Sequence, residues 1–281
     1  MSARISHNIG CNVGCNIVDP LCDEDSNYTK DVYLKNIEKY SDYGFTHLEF
    51  SHTLAISKDD AVEIKNFAQK IGIVPWSIHS EHLNGESKKQ MEEYFKRQEH
   101  CCGIAEALGA KVCVCHIPNV EPRAGDMKRD VALLTRLADI TRAHGLKLAV
   151  ETPPYDYIIK VVDRINRDDV GINLDTGHCF LEGNDPAKVA KAIGKRLITT
   201  HLQDNFGVND DHCPPGLGKI NWRRTLKAIL ATGYDGPLII ELTGEGVKAR
   251  RSVEELRNFE LDKEIVLGMA YLRRLLQEMK L

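Results

Sequence analysis

The strands expected in this chain end in residues that can grip a metal ion or move a proton. In order, the ends are Asn8, Glu49, His79, His116, Glu151, Asp175, His201 and Glu241. Seven of the eight are Asp, Glu or His, although acids number only 41 and histidines 11 among 281 residues. Carboxylates crowded together away from water repel one another, and each must protonate or find a cation. No Lys or Arg ends any of these strands, so a divalent metal ion is the simplest counterion. Glu151, Asp175, His201 and Glu241 offer three carboxylates and one imidazole. That mixed oxygen and nitrogen set suits one ion, Mn²⁺ first, with Co²⁺, Mg²⁺ and Zn²⁺ as alternatives. It is unlike a thiolate zinc site.

The stretch "HLQDNFGVNDDHCPPGLG" adds Asp204, Asp210, Asp211 and His212 beyond His201. His178 follows Asp175 by three residues, near the same mouth, and is a candidate substrate contact. His79, His116, His212, Glu49 and Trp76 are further candidates for substrate binding. Each also has a structural reading: a histidine hydrogen-bonded into the mouth, a glutamate paired with a cation, a tryptophan packed in the wall. Trp222 is expected to pack at the start of its helix, and His47, His52, His82, His100 and His144 fall in helices or loops. Gly216 and Gly218 suit either a ligand-hugging loop or a tight turn. "TGEGVKARR", with Lys248, Arg250 and Arg251, suits an anion site or a solvated face.

Positioning such residues requires strands that end together. Short β-branched runs at 4–9, 47–50, 74–79, 111–116, 147–151, 170–175, 196–201 and 237–242 read as strands. Helical patterns lie near 29–43, 58–71, 87–108, 127–144, 155–166, 186–194 and 221–232, with a last helix about 252–280. Gly109 and Gly145 sit where left-handed helix caps belong, and Asp185-Pro186 reads as a helix start. Eight strands, each followed by a helix, predict an α/β fold: a (β/α)₈ TIM barrel, with residues 1–281 as a single domain. The active site of such a barrel lies at the C-terminal strand ends. A doubly wound sheet is disfavoured because "GCNVGC" is not a phosphate-binding glycine fingerprint.

Composition narrows the class. With 42% hydrophobic residues, 28% charged residues and a net charge of −4, the chain lacks the basic footprint of a nucleic-acid binder. No apolar run is long enough for a membrane span, and "MSARISHNIGCNVG" lacks a signal-peptide core. Nine scattered cysteines with no C-x-x-C pair favour free thiols and a cytoplasmic protein.

From "LAVET" through "INLDTGH", "HLQDN" and "PPGLGKINW" to "PLIIEL", the chain resembles the xylose isomerase-like barrel superfamily of sugar isomerases and epimerases. That resemblance implies that Glu151 and Glu241 bind the metal and act as an acid/base pair. Asp175 and His201 complete the metal site, and His178 contacts a small sugar substrate. A proton beside a carbonyl is too weakly acidic for an unaided carboxylate, so a metal-stabilised enediolate is the implied route. The superfamily also contains endonuclease IV, a three-zinc phosphodiesterase acting on abasic DNA. Its ligands match His79, His116, Glu151, Asp175, His178, His201, Asp210, His212 and Glu241. Ketose 3-epimerases of the superfamily usually carry an arginine after the seventh strand, and none lies between His201 and Gly218. Inosose dehydratase-like lyases, hydroxypyruvate isomerases and 3-keto-glycoside epimerases therefore stay open. Relatives form dimers or tetramers, so a homodimer or homotetramer is an expectation.

Overall fold

A computed structural model of the chain describes residues 13–16, 28–80, 87–117, 126–151, 154–242 and 261–280. Eight parallel strands close into a barrel in chain order. They are β1 (Val13–Asn16), β2 (His47–Phe50), β3 (Val74–His79), β4 (Val112–His116), β5 (Lys147–Glu151), β6 (Val170–Asp175), β7 (Leu197–Leu202) and β8 (Leu238–Ile240). The helices are α1 (Lys30–Asp42), α2 (Lys58–Lys70), α3 (Lys88–Leu108), α4 (Asp126–Ala143), α5 (Tyr155–Ile165), α6 (Thr176–Leu181), α7 (Pro186–Ile193), α8 (Trp222–Ala231) and α9 (Leu261–Glu278).

Among the described residues the first barrel strand is Val13–Asn16; the strand expected at 4–9, with Asn8 near its end, lies outside the described residues. "VGCN" has no β-branched run, whereas "RISHNI" alternates like a strand. What makes β1 a strand is the barrel itself, since it pairs with β2 at Gly14 to Asn16 and with β8 at Val13 to Cys15. His47, expected in a helix or loop, opens β2 and lies edge-on to Trp76. The six-residue helix α6 was not expected; Asp175 caps it, accepting a hydrogen bond from His178 N at 2.7 Å. Residues 252–260, expected as the start of the last helix, and "TGEGVKARR" lie outside the described residues.

Alternation along each strand sorts the side chains. On β4, Cys113 and Cys115 join the large apolar layer under the helices, while Val112 and Val114 face inward. Val112, Val114 and Ala149 form a small apolar floor inside the barrel, packed by Trp76 and Ile198. Burying each large apolar side chain contributes about 1.5–3 kcal/mol. Helix ends are fixed locally: Ser57 with Asp60 and Ser87 with Gln90 form capping boxes, and Gly109 and Gly145 take positive φ at +79° and +71°. The six cysteines whose side chains are described are free and buried. No helix among the described residues is long and apolar enough to cross a membrane.

Candidate metal centre and active site

Parallel strands that end at one level bring Glu151, Asp175, His201 and Glu241 together. Each offers a donor atom, and these atoms lie within 4.8 Å of one another. His201 is at the centre, with Nδ1 standing 2.9 Å from Glu151 Oε2 and 3.2 Å from Glu241 Oε1. All four residues are buried. Glu151 Oε1, Glu241 Oε2 and both His201 ring nitrogens have no aligned hydrogen-bond partner among the described residues. Buried polar atoms are normally satisfied, and this convergence without pairing suits a cation. Three carboxylates and an imidazole fit a divalent ion.

The electrostatics agree. Burial, opposed by His178 and assisted by Glu241 and Glu151, raises Asp175 to about 8. Burial also opposes charge on Glu151 and Glu241, yet His201 holds both below the usual carboxylate range. The charged form of His201 is opposed by burial, but Glu151, Glu241 and Glu49 raise it well above the ordinary imidazole value. Without a metal, therefore, the protons on Asp175 and His201 are the local counterions. A bound divalent ion would replace them.

Two histidines arch over the glutamates. His178 Nδ1 lies 3.4 Å from Glu151 Oε1, and His212 Nδ1 lies 3.7 Å from Glu241 Oε2. Their Nε2 atoms meet one oxygen, Asp210 Oδ2, each at 3.1 Å. Burial disfavours the imidazolium form of His178, but Asp175, Asp210 and Glu151 raise it to about 12. His212 holds a left-handed backbone, φ +43°, uncommon for a non-glycine residue and frequent at functional sites. On the other side, His79 Nε2 and His116 Nε2 are 3.1 Å apart, and His79 Nε2 is 3.8 Å from Glu151 Oε2.

Of the other expected residues, one meets the centre and the rest pack around it. Trp76 lies in the apolar floor and donates Nε1–H to Thr199 Oγ1 at 3.1 Å, so it fills the barrel below the mouth. Glu49 meets His201 rather than a Lys or Arg: its Oε1 is 2.9 Å from Nε2. Asp204 is a loop hub, accepting hydrogen bonds from Asn205 N, Gly216 N, Ile220 N and Trp222 Nε1. Asp211 accepts from Phe206 N within the same loop. Gly216 and Gly218 serve tight packing: a Cβ would meet the Tyr271 ring at 2.7 Å and Asp204 Oδ1 at 2.3 Å respectively. Trp222 is buried at the start of α8, as expected.

Sequence reasoning passed over the residues that hold the ligands in place. Asn173 donates to Glu151 Oε2 at 2.7 Å, and Ser77 donates to Glu49 Oε2 at 2.6 Å. Gln203 approaches Asp175 Oδ2 at 3.4 Å, and the Tyr155 hydroxyl accepts from Asp175 N at 2.7 Å. Asn173 and Ser77 each precede a strand-end candidate by two residues, so strand periodicity was a usable signal.

Known proteins share this architecture. The chain is 26% identical over 240 residues to an inosose isomerase of Halalkalibacterium halodurans, covering 78% of this chain and 84% of that one. It spans about half the length of other curated relatives, matched at 34%, 28% and 29% identity. A D-psicose 3-epimerase of Clostridium cellulolyticum H10, solved with D-tagatose, superposes with a TM-score of 0.77 at 19% identity, covering 94% of this chain and 99% of that one. The IOLI protein, solved with a zinc atom, gives a TM-score of 0.72 at 20% identity over 93% of this chain and 96% of that one. Residues 37–274 match the family described as xylose isomerase-like TIM barrel, and the chain belongs to that family.

Proposed function

We propose that the chain is a divalent-metal-dependent isomerase or epimerase acting on a small polyhydroxy ketone. A cyclic inosose-type substrate is favoured over a free ketohexose. The observation that carries this reading is the pair of buried glutamates, Glu151 and Glu241, converging on the same nitrogen of His201 at 2.9 and 3.2 Å. The likeness to an inosose isomerase and the absence of arginine between His201 and Gly218 support the substrate class.

Glu151, Asp175, His201 and Glu241 are the residues that would hold the ion. When bound, the ion would supply Lewis-acid polarisation of a carbonyl and so acidify the neighbouring C–H. The protein supplies the rest. Glu151 and Glu241 flank the same nitrogen of His201, so one, ionised, can take the proton from carbon, while the other, entering the step protonated, can return one. His178, kept cationic by its acidic neighbours, is placed to donate to a substrate oxygen beside Glu151. Asp210 ties His178 to His212 and thereby spaces the two groups over the two glutamates. The six free, buried cysteines fit a reducing cytoplasm.

The test is turnover with proton–deuterium exchange on a panel of inososes and ketoses with Mn²⁺ present. Glu151→Gln and Glu241→Gln should each lower turnover by about 10²–10⁴-fold. Near wild-type exchange in either variant would remove the two-base scheme.

A second reading follows from one further feature. Donor atoms of His178, Asp210 and His212 also lie within 4.8 Å of one another, and His79 with His116 aims at Glu151. Those groups match the three-zinc nuclease pattern. The net charge of −4 argues against a DNA substrate, because affinity for DNA comes from Lys and Arg on phosphates. Three zinc ions per chain would favour this second reading, and one ion the first.

A further inference from the structure

We infer that Glu49 is a positioning residue for His201, fixing which ring nitrogen faces the metal; this rests on the metal centre proposed above. Glu49 ends β2 and is buried, where an isolated carboxylate is costly unless its oxygens are engaged. Both are. Oε2 accepts from Ser77 Oγ at 2.6 Å, and Oε1 stands 2.9 Å from His201 Nε2 in a short, oblique contact.

A neutral imidazole carries one N–H, and the group beside one nitrogen decides which atom keeps the proton. With an ion between Nδ1 and the Glu151 and Glu241 oxygens, the Nδ1 lone pair faces the ion and the N–H falls to Nε2, where the Glu49 carboxylate is the group within reach. Ser77 fastens Glu49 from β3, so the carboxylate is held from both sides. The placement depends on a register shift between Leu48 and Glu49, which sets Glu49 opposite Ser77 rather than Trp76. Irregular pairing near a site commonly serves to re-aim a side chain.

The experiment strips the full-length protein of metal and titrates it with Co²⁺, recording the dissociation constant and the visible spectrum. Glu49→Ala is expected to weaken binding by about 10–100-fold and to alter the spectrum. Glu49→Gln, which keeps an acceptor oxygen beside Nε2, should recover most of that loss. Equal weakening in both variants would mean that only charge matters and would overturn positioning. Binding by Glu49→Ala within about twofold of wild type would overturn it also. If the metal-free unfolding midpoint shows that Glu49→Ala does not fold, Ser77→Ala decides. It leaves Glu49 charged but unfastened, and unchanged Co²⁺ affinity there counts against the inference. A wild-type protein that takes up no Co²⁺ fails the metal-centre reading itself, whereas unchanged variants beside a binding wild type fail this inference alone.

Discussion

The two halves of the barrel mouth differ in how they treat charge. On the β5–β8 side, Glu151, Asp175, His201 and Glu241 are buried and share too few protons. On the β3–β4 side, His79 and His116 are only partly buried and face each other at 3.1 Å. One half needs a cation to be electrically comfortable. The other is joined by a ring-to-ring hydrogen bond, with one His79 nitrogen also within 4.8 Å of donor atoms on Glu151 and His201. A ring of similar residue types thus divides into a half that would bind an ion and a half that would shape what approaches it.

His201→Ala against His116→Ala tests that division most severely. Removing His201 should abolish stoichiometric metal uptake and turnover together. Removing His116 should leave one ion per chain and cost activity by about 10-fold, the scale of one lost hydrogen bond to substrate. If His116→Ala also lowers the number of bound ions, the halves are one metal cluster and the three-zinc reading gains.

Stability against pH sharpens the contrast. Between about pH 4 and 8, folded Asp175 keeps a proton that the unfolded chain has lost. The unfolded state then binds fewer protons, so the metal-free protein should lose stability as pH rises through this range. His178, raised to about 12, acts in the same direction above its unfolded value. A bound ion relieves the strain on Asp175 and adds about 2.7 kcal/mol at a hundred times its dissociation constant. Calorimetry should therefore show a larger metal-induced rise in Tm at pH 8 than at pH 5. A metal-free Tm that climbs from pH 5 to 8 would contradict the assignment.

The smallest effect is expected beneath the mouth. Trp76→Phe removes one hydrogen bond to Thr199 and should cost about 1 kcal/mol of stability while leaving kcat/KM within about twofold. A large loss of kcat/KM with unchanged stability would return Trp76 to the substrate pocket.

These contrasts also explain what could be read from the sequence. Strands β2 to β8 were legible because short apolar or β-branched runs and flanking turn residues agree with their final positions. β1 was not, since Val13–Asn16 is a strand through its two neighbours rather than its own residues. Glu151, Asp175, His201 and Glu241 were legible because strand ends in a barrel share a level. Glu49 was seen, but its role was missed, because its partner lies on β7. Strand periodicity puts Asn173 and Ser77 on the inner face two residues before a strand end, but the partners they meet are set by inter-strand register, which leaves no mark on a single strand.

The one-step offset in β2–β3 carries a wider consequence for how such a barrel can change. A single residue gained or lost there would swing a buttress outward without relocating Glu151, Asp175, His201 or Glu241, so the grip on the ion could be retuned while the strands that supply it stay in place. Variation among sister barrels should accordingly concentrate in the props beneath the coordinating groups, with chemistry adjusted from below.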